Sequence, residues 1–157
     1  MPKQDWNINT RGAYAGEQYG LATTNSQRLT FNAEAAMTEF GLAVTQGAKS
    51  NTMKVGHVDG EILGVTMRQL NLESATRPGD GTVAIPVGWP LGVMLEGPIM
   101  VKLKTAISDA SVGISADGHF GGVASGYTAA TNAKALRYPA AAGDVVPVMI
   151  TLAAPKP

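Results

Sequence analysis

The sequence predicts an all-β fold, a small β-sandwich or barrel carrying an extended N-terminal arm. Three observations predict it. Asp-Gly pairs at 59–60, 80–81 and 117–118 sit among short runs of alternating apolar residues, and Asp-Gly supplies the positive φ angles that tight hairpin turns require. The 157 residues include 19 glycines and 9 prolines, a load that favours turns over long helices. The first 33 residues, by contrast, show no apolar periodicity of either the helical or the strand kind.

Residues 1–33 therefore read as an arm, 34–153 as a β-rich body and 154–157 as a short C-terminal tail. The arm is rich in Asn, Thr, Gly and Gln, yet it holds Trp6, Tyr14, Tyr19 and Phe31, a large share of the chain's aromatic residues. Disordered tails are poor in aromatics, so the arm is expected to order against a neighbour. Its partner-binding residues are expected to be these four aromatics together with Arg11 and Arg28.

The body opens on Ala33–Glu39, which has helix formers but is too short for a stable helix. A strand over Leu42–Thr45 follows. Lys54–Val58 and Ile62–Met67 flank Asp59-Gly60 and read as a hairpin. Residues 68–82 read as a long loop. Val83, Ile85 and Val87 alternate, as do Leu91, Val93 and Leu95, and then Ile99, Val101 and Leu103 beyond a turn at Glu96-Gly97-Pro98. Pro86 and Pro90 cannot donate to a ladder and place that segment at an edge or bulge. A second hairpin spans Val112–Phe120 around Asp117-Gly118. Residues 123–135 are Ala-, Thr- and Gly-rich and give no periodic signal. A turn at Ala142-Gly143-Asp144 leads to a last strand, Val145–Leu152, with Val146, Val148, Ile150 and Leu152 on one face. The methionines read as core filling, and Trp89, between Gly88 and Pro90, as either a core lid or an exposed interface anchor.

Composition excludes several classes of function. Only 15% of residues are charged, and 12 basic side chains cancel 12 acidic ones. No excess charge draws the chain to nucleic acid or to an anionic membrane, and no apolar run reaches the roughly 18–20 residues of a membrane span. The start lacks the apolar core of a signal peptide. The absence of cysteine removes disulfides and thiolate metal ligands. So lightly charged a surface suits a chain that works inside an assembly.

No catalytic, cofactor-binding or metal residues are expected. Gly41–Ser50 resembles a phosphate-binding loop, but its glycine spacing is one residue too long and Ala48 precedes the lysine. Gly79–Ala84 fits a loose dinucleotide pattern, but it leads into a strand where that motif needs a helix. His57 and His119 each lie two residues from an aspartate, Asp59 and Asp117, yet both aspartates are already explained as turn residues. Ser125 misses the nucleophile-elbow spacing by one position.

From Phe40 onward the chain resembles the structural cement, or capsid decoration, proteins of tailed bacteriophages. The resemblance rests on Phe40–Gly47, Gly64-Val65, Pro78-Gly79-Asp80 ahead of Val83–Val87, Gly92–Gly97 ahead of Ile99–Val101, Ala116–Phe120 and Ala140–Asp144. It covers about three quarters of the chain. The N-terminal stretch is longer than in the family and the loop around Asn71–Arg77 differs. The resemblance implies a non-enzymatic β-rich protein that binds the major capsid protein on the outer surface of the expanded head, as a homotrimer, and carries no catalytic residues. Two alternatives stand beside it: a tail, fibre-base or receptor-binding virion module, and a small β-barrel enzyme or ligand-binding protein.

Overall fold

The computed structural model describes residues 13–19, 26–69 and 83–153. Trp6, Arg11, the Asp80-Gly81 pair and the loop around Asn71–Arg77 lie outside them. The described residues form nine strands and no helix. These are β1 (Gln27–Ala33), β2 (Ala43–Gln46), β3 (Thr52–Val55), β4 (Gly64–Thr66), β5 (Pro90–Lys102), β6 (Ser111–Ile114), β7 (Phe120–Gly121), β8 (Thr128–Ala135) and β9 (Val145–Ile150).

The order β1-β3-β2-β4-β5 closes on itself through β1–β5 pairing, which makes a five-stranded barrel. From β5 the hydrogen-bonded order continues through β9, β8, β6 and β7. A parallel bridge between Phe120 and Leu103 brings that far edge back to the residue after β5. Two apolar clusters result. Phe31, Leu42, Val44, Met53, Ile85, Leu91 and Val93 belong to the first. Ile99, Val101, Leu103, Ile114, Phe120, Val148 and Ile150 belong to the second.

β5 corrects the expectation of a turn at Glu96-Gly97-Pro98: the strand runs through it without reversing. Gln27 stands opposite Glu96 while Arg28 stands opposite Met94, so Leu95 is an extra residue on β5. Such a bulge bends a strand and re-aims its side chains. Upstream of it, Leu91 and Val93 join the barrel cluster and Met94 joins the other; downstream, Ile99 and Val101 take Met94's side. Gly97 follows at φ 127°, where a Cβ would sit 3.0 Å from the Ser26 Cβ and 3.1 Å from the Met94 sulfur.

The two Asp-Gly pairs among the described residues lie in turns. Asp59 and Gly60 both have positive φ, 51° and 84°, and Val58 and Glu61 exchange two 2.9 Å hydrogen bonds across them. That hairpin is only a tip, however. β3 and β4 do not pair with each other but lie on either side of β2. Asp117-Gly118 closes the β6–β7 hairpin, with Gly118 at φ 78° and the Ser115 N–H donating to the His119 carbonyl.

Two strands run where none was expected. β1 occupies the end of the segment read as an arm, and β8 occupies the Ala/Thr-rich stretch. Conversely, Val83–Val87 makes only a bridge from Ile85 to Met37. β9 forms with Val146, Val148 and Ile150 buried, while Leu152 lies past its end and is exposed. Pro147 is accommodated inside β9 because β8 ends at Ala135: its carbonyl accepts from the Leu136 N–H, and the N–H it lacks would face the chain beyond that end.

Candidate interaction surface

Residues 14–19 lie along β5 as a strap. The Gly16 N–H donates to the Met100 carbonyl and the Met100 N–H to the Glu17 carbonyl, both at 2.8 Å. The Tyr19 N–H donates to the Pro98 carbonyl at 3.1 Å. On the strap's other side the Arg68 N–H donates to the Gly16 carbonyl at 2.9 Å. Only glycine fits between these neighbours, since Gly16 has φ 86° and a Cβ there would stand 2.7 Å from the Arg68 nitrogen. The Arg68 side chain secures the strap, with its guanidinium 4.2 Å from the centre of the Tyr14 ring and paired with the Glu17 carboxylate.

The expected partner-binding residues that are described lie on different elements. Tyr14 and Tyr19 are half-exposed on the strap. Arg28 is exposed on β1. Trp6 and Arg11 lie outside the described residues. Phe31 is the correction: it is buried at 6% exposure in the barrel cluster, opposite Leu91. It cannot contact a partner from there, because pairing of β1 with β5 turns Phe31 and Ala33 inward. Trp89 closes a turn in which its N–H donates to the Pro86 carbonyl and Gly88 has φ 82°. That turn leaves Trp89 part-exposed and its neighbour Val87 exposed.

The sequence reading missed a partly apolar row on the outer face of the second sheet, in which Met149 is exposed and Pro98 half-buried. Lys134, Met149 and Pro98 stand opposite one another on β8, β9 and β5, and the strap adds Tyr19 beside Pro98. Met149 points away from the buried Val148 and Ile150, and Leu136 and Tyr138 are exposed just beyond β8. Exposed apolar groups that lie close together can mark interaction surfaces. The signal in the sequence was Met149, which is out of phase with Val146, Val148 and Ile150. Leu29 is a further exposed group. It shares the parity of Phe31 and Ala33, but β3 pairs only with Asn32 and Ala33.

The titratable groups are used structurally. His57 Nδ1 accepts from the Gly60 N–H at 3.1 Å, within its own turn. His119 Nε2 is 2.9 Å from Glu39, not paired with Asp117, and Lys104 Nζ is 3.4 Å from the other Glu39 oxygen. Partial burial pushes the Glu39 pKa up, but the His119 hydrogen bond and the Lys104 charge outweigh it and hold the carboxyl below its ordinary value. Glu34 is lowered too, first by the Thr52 hydroxyl and then by the Ala48 N–H, both of which donate to it. Gly41–Ser50 runs through β2 into a turn rather than onto a helix. Among the described residues, no three His, Asp or Glu side chains are placed to hold a metal, and no helix is long and apolar enough to cross a membrane.

Comparison with known proteins places this geometry. The family model of the structural cement protein (E217 gp24/Pam3 gp6) matches residues 1–151. A chain from the capsid of Myoviridae phage XM1 superposes with a TM-score of 0.63 at 18% identity, over 89% of this chain and 91% of that one. The base of the head fibre gp8.5 of bacteriophage phi29 aligns at a TM-score of 0.44 and 14% identity, over 80% of this chain and 94% of its own. No curated protein matches the chain.

Proposed function

The chain belongs to the phage structural cement protein family, and on that premise we propose that it binds the outer surface of the expanded head and holds neighbouring major capsid subunits together. Its role is capsid cement and its place is the virion; the family is a structural one. The single observation that carries the reading is the family match across 1–151, strap and both sheets included.

The attachment we infer uses Tyr14 and Tyr19 on the strap, Arg28 on β1, Trp89 at its turn, and Trp6 and Arg11 further toward the N-terminus. Assembly as a homotrimer fits this use. Three copies of a modest contact in a closed ring raise overall affinity through effective concentration. Genome pressure pushes subunits apart, and a clamp spanning their boundary opposes it.

The test is co-sedimentation of the purified protein with expanded heads stripped of the endogenous copy, counted as molecules per capsid. Saturation at the number of three-fold positions on the lattice supports the reading. Absence from heads together with presence in tail fractions overturns it.

A further inference from the structure

The first half of β1 is an open sheet edge. β5 pairs with β1 from Gln27 to Asn32, whereas β3 pairs only with Asn32 and Ala33. The hydrogen bonds show which backbone groups this leaves over. The Ala33 N–H donates to the Trp89 carbonyl at 3.0 Å, so the odd-numbered residues of β1 turn their backbone groups toward the β5 side. The Asn32 N–H donates to the Asn51 carbonyl at 2.8 Å, so the even-numbered ones turn theirs toward the β3 side. Register is continuous from Arg28 to Asn32, the irregularity lying between Gln27 and Arg28. The N–H and C=O groups of Arg28 and Thr30 therefore point outward, past the reach of β3. No described residue pairs with them, and Gln27, Arg28, Leu29 and Thr30 are all exposed.

Such an edge is a template for one further strand. Its side chains specify what that strand carries. Leu29 stands opposite the buried Val93 and shares the inward parity of Phe31, yet it is 58% exposed. An aliphatic residue opposite Leu29 would extend the Val93–Leu29 pair into a row of three. Arg28 lies on the other face, and among the described residues its guanidinium has no carboxylate partner. A carboxylate directly opposite complements that charge. The site also adjoins the strap, since the Gln18 amide donates to the hydroxyl of Ser26, just ahead of β1, at 3.5 Å. We infer that the Arg28–Thr30 edge takes an extended segment of the major capsid protein by strand addition, with an acidic residue opposite Arg28 and an aliphatic one opposite Leu29. This rests on the cement reading and names the contact through which it acts.

Hydrogen exchange on the unmodified chain, free and bound to expanded heads stripped of the endogenous copy, is the test. The Arg28 and Thr30 amides should exchange fast in the free protein and slow by about tenfold or more on heads. Unchanged exchange in head-bound protein overturns the strand addition and leaves the cement reading standing; failure to bind heads removes both. Protection that grows with the concentration of free protein would assign the edge to a second copy and also overturn the inference. Thr30→Pro gives a second reading. It deletes the outward N–H and spares the β5 ladder, because proline is tolerated where a strand's N–H faces solvent. Head binding should weaken about 3–10-fold, the loss of one hydrogen bond. Leu29→Asp, at an exposed position, should weaken it at least as much. Full affinity in either variant contradicts the inference.

Discussion

The Arg68 guanidinium lies 4.2 Å from the centre of the Tyr14 ring and pairs with the Glu17 carboxylate. One side chain from the body thereby holds both ends of the turn that starts the strap. The arrangement is well shielded, with Arg68 only 11% and Glu17 25% exposed, so it is worth more than an open surface pair.

Arg68→Ala should therefore destabilise the protein by about 1–3 kcal/mol. It should also speed hydrogen exchange at the Met100 amide, which bonds the strap. Urea denaturation and exchange by NMR measure the two effects. Lost stability with unchanged Met100 protection would show that Arg68 does not hold the strap.

Gly16→Ala should unseat the strap more strongly than Arg68→Ala, because strained φ and a 2.7 Å clash with backbone act together. Tyr14 fluorescence and the Met100 exchange rate report it. A variant as stable as the parent chain would contradict the placement of residues 14–19.

Asn132 joins three segments. Its carbonyl oxygen accepts from the Ile62 N–H at 3.1 Å, and its amide donates to the Ile62 and Thr151 carbonyls at 2.8 and 3.0 Å. Asn132→Ala leaves buried Ile62 backbone groups unpaired and should cost about 2–4 kcal/mol. Asn132→Asp should do nearly as much harm, since a carboxylate keeps the acceptor and loses the donors. Chemical denaturation distinguishes these from a surface substitution, which changes stability by at most about 0.5 kcal/mol.

Glu34 and Glu39 predict acid sensitivity. Both have folded pKa values below the ordinary 4.5, so below that point the unfolded state binds more protons than the folded one. Their contribution is complete above about pH 4.5 and is lost as pH falls through the folded values. A Glu34→Gln, Glu39→Gln double variant should show a flatter stability profile below pH 4.5 and little further pH dependence from these sites above it. Thermal melts at pH 3 to 7 provide the measurement.

On the outer face of the second sheet, Tyr19→Ala combined with Met149→Ala should reduce copies bound per head while Tm stays within about 2 °C, because both side chains are substantially exposed. Full occupancy would remove this row from the attachment surface.

Turns were legible because their chemistry is local. The Asp59-Gly60 and Asp117-Gly118 pairs carry their conformations in adjacent residues. Strands with one buried and one solvated face were legible too, as in Val146, Val148 and Ile150. β8 was not, because its inward residues Ala133 and Ala135 are small and gain their place only opposite Ile150 and Val148. β1 hid in the arm because its first four residues are exposed, so alternation begins only at Phe31. The Glu96-Gly97-Pro98 segment carries the residues of a turn, and only a partner strand shows it to be a bulge. The strap was least legible: Arg68 and Glu17 stand 51 positions apart, and no local pattern in the sequence encodes that meeting.

The unbroken course of β5 has a mechanical consequence. Its first half is a stave of the barrel and its second half pairs with β9 in the other sheet, so load applied to one sheet passes to the other along covalent backbone. Among the described residues the two sheets share this strand, so the backbone itself joins them. To separate them, a pull must strip whole ladders from a 13-residue strand. A molecule so built passes tension from one sheet to the other through main-chain bonds, where two sheets merely packed together would have to rely on side-chain contacts.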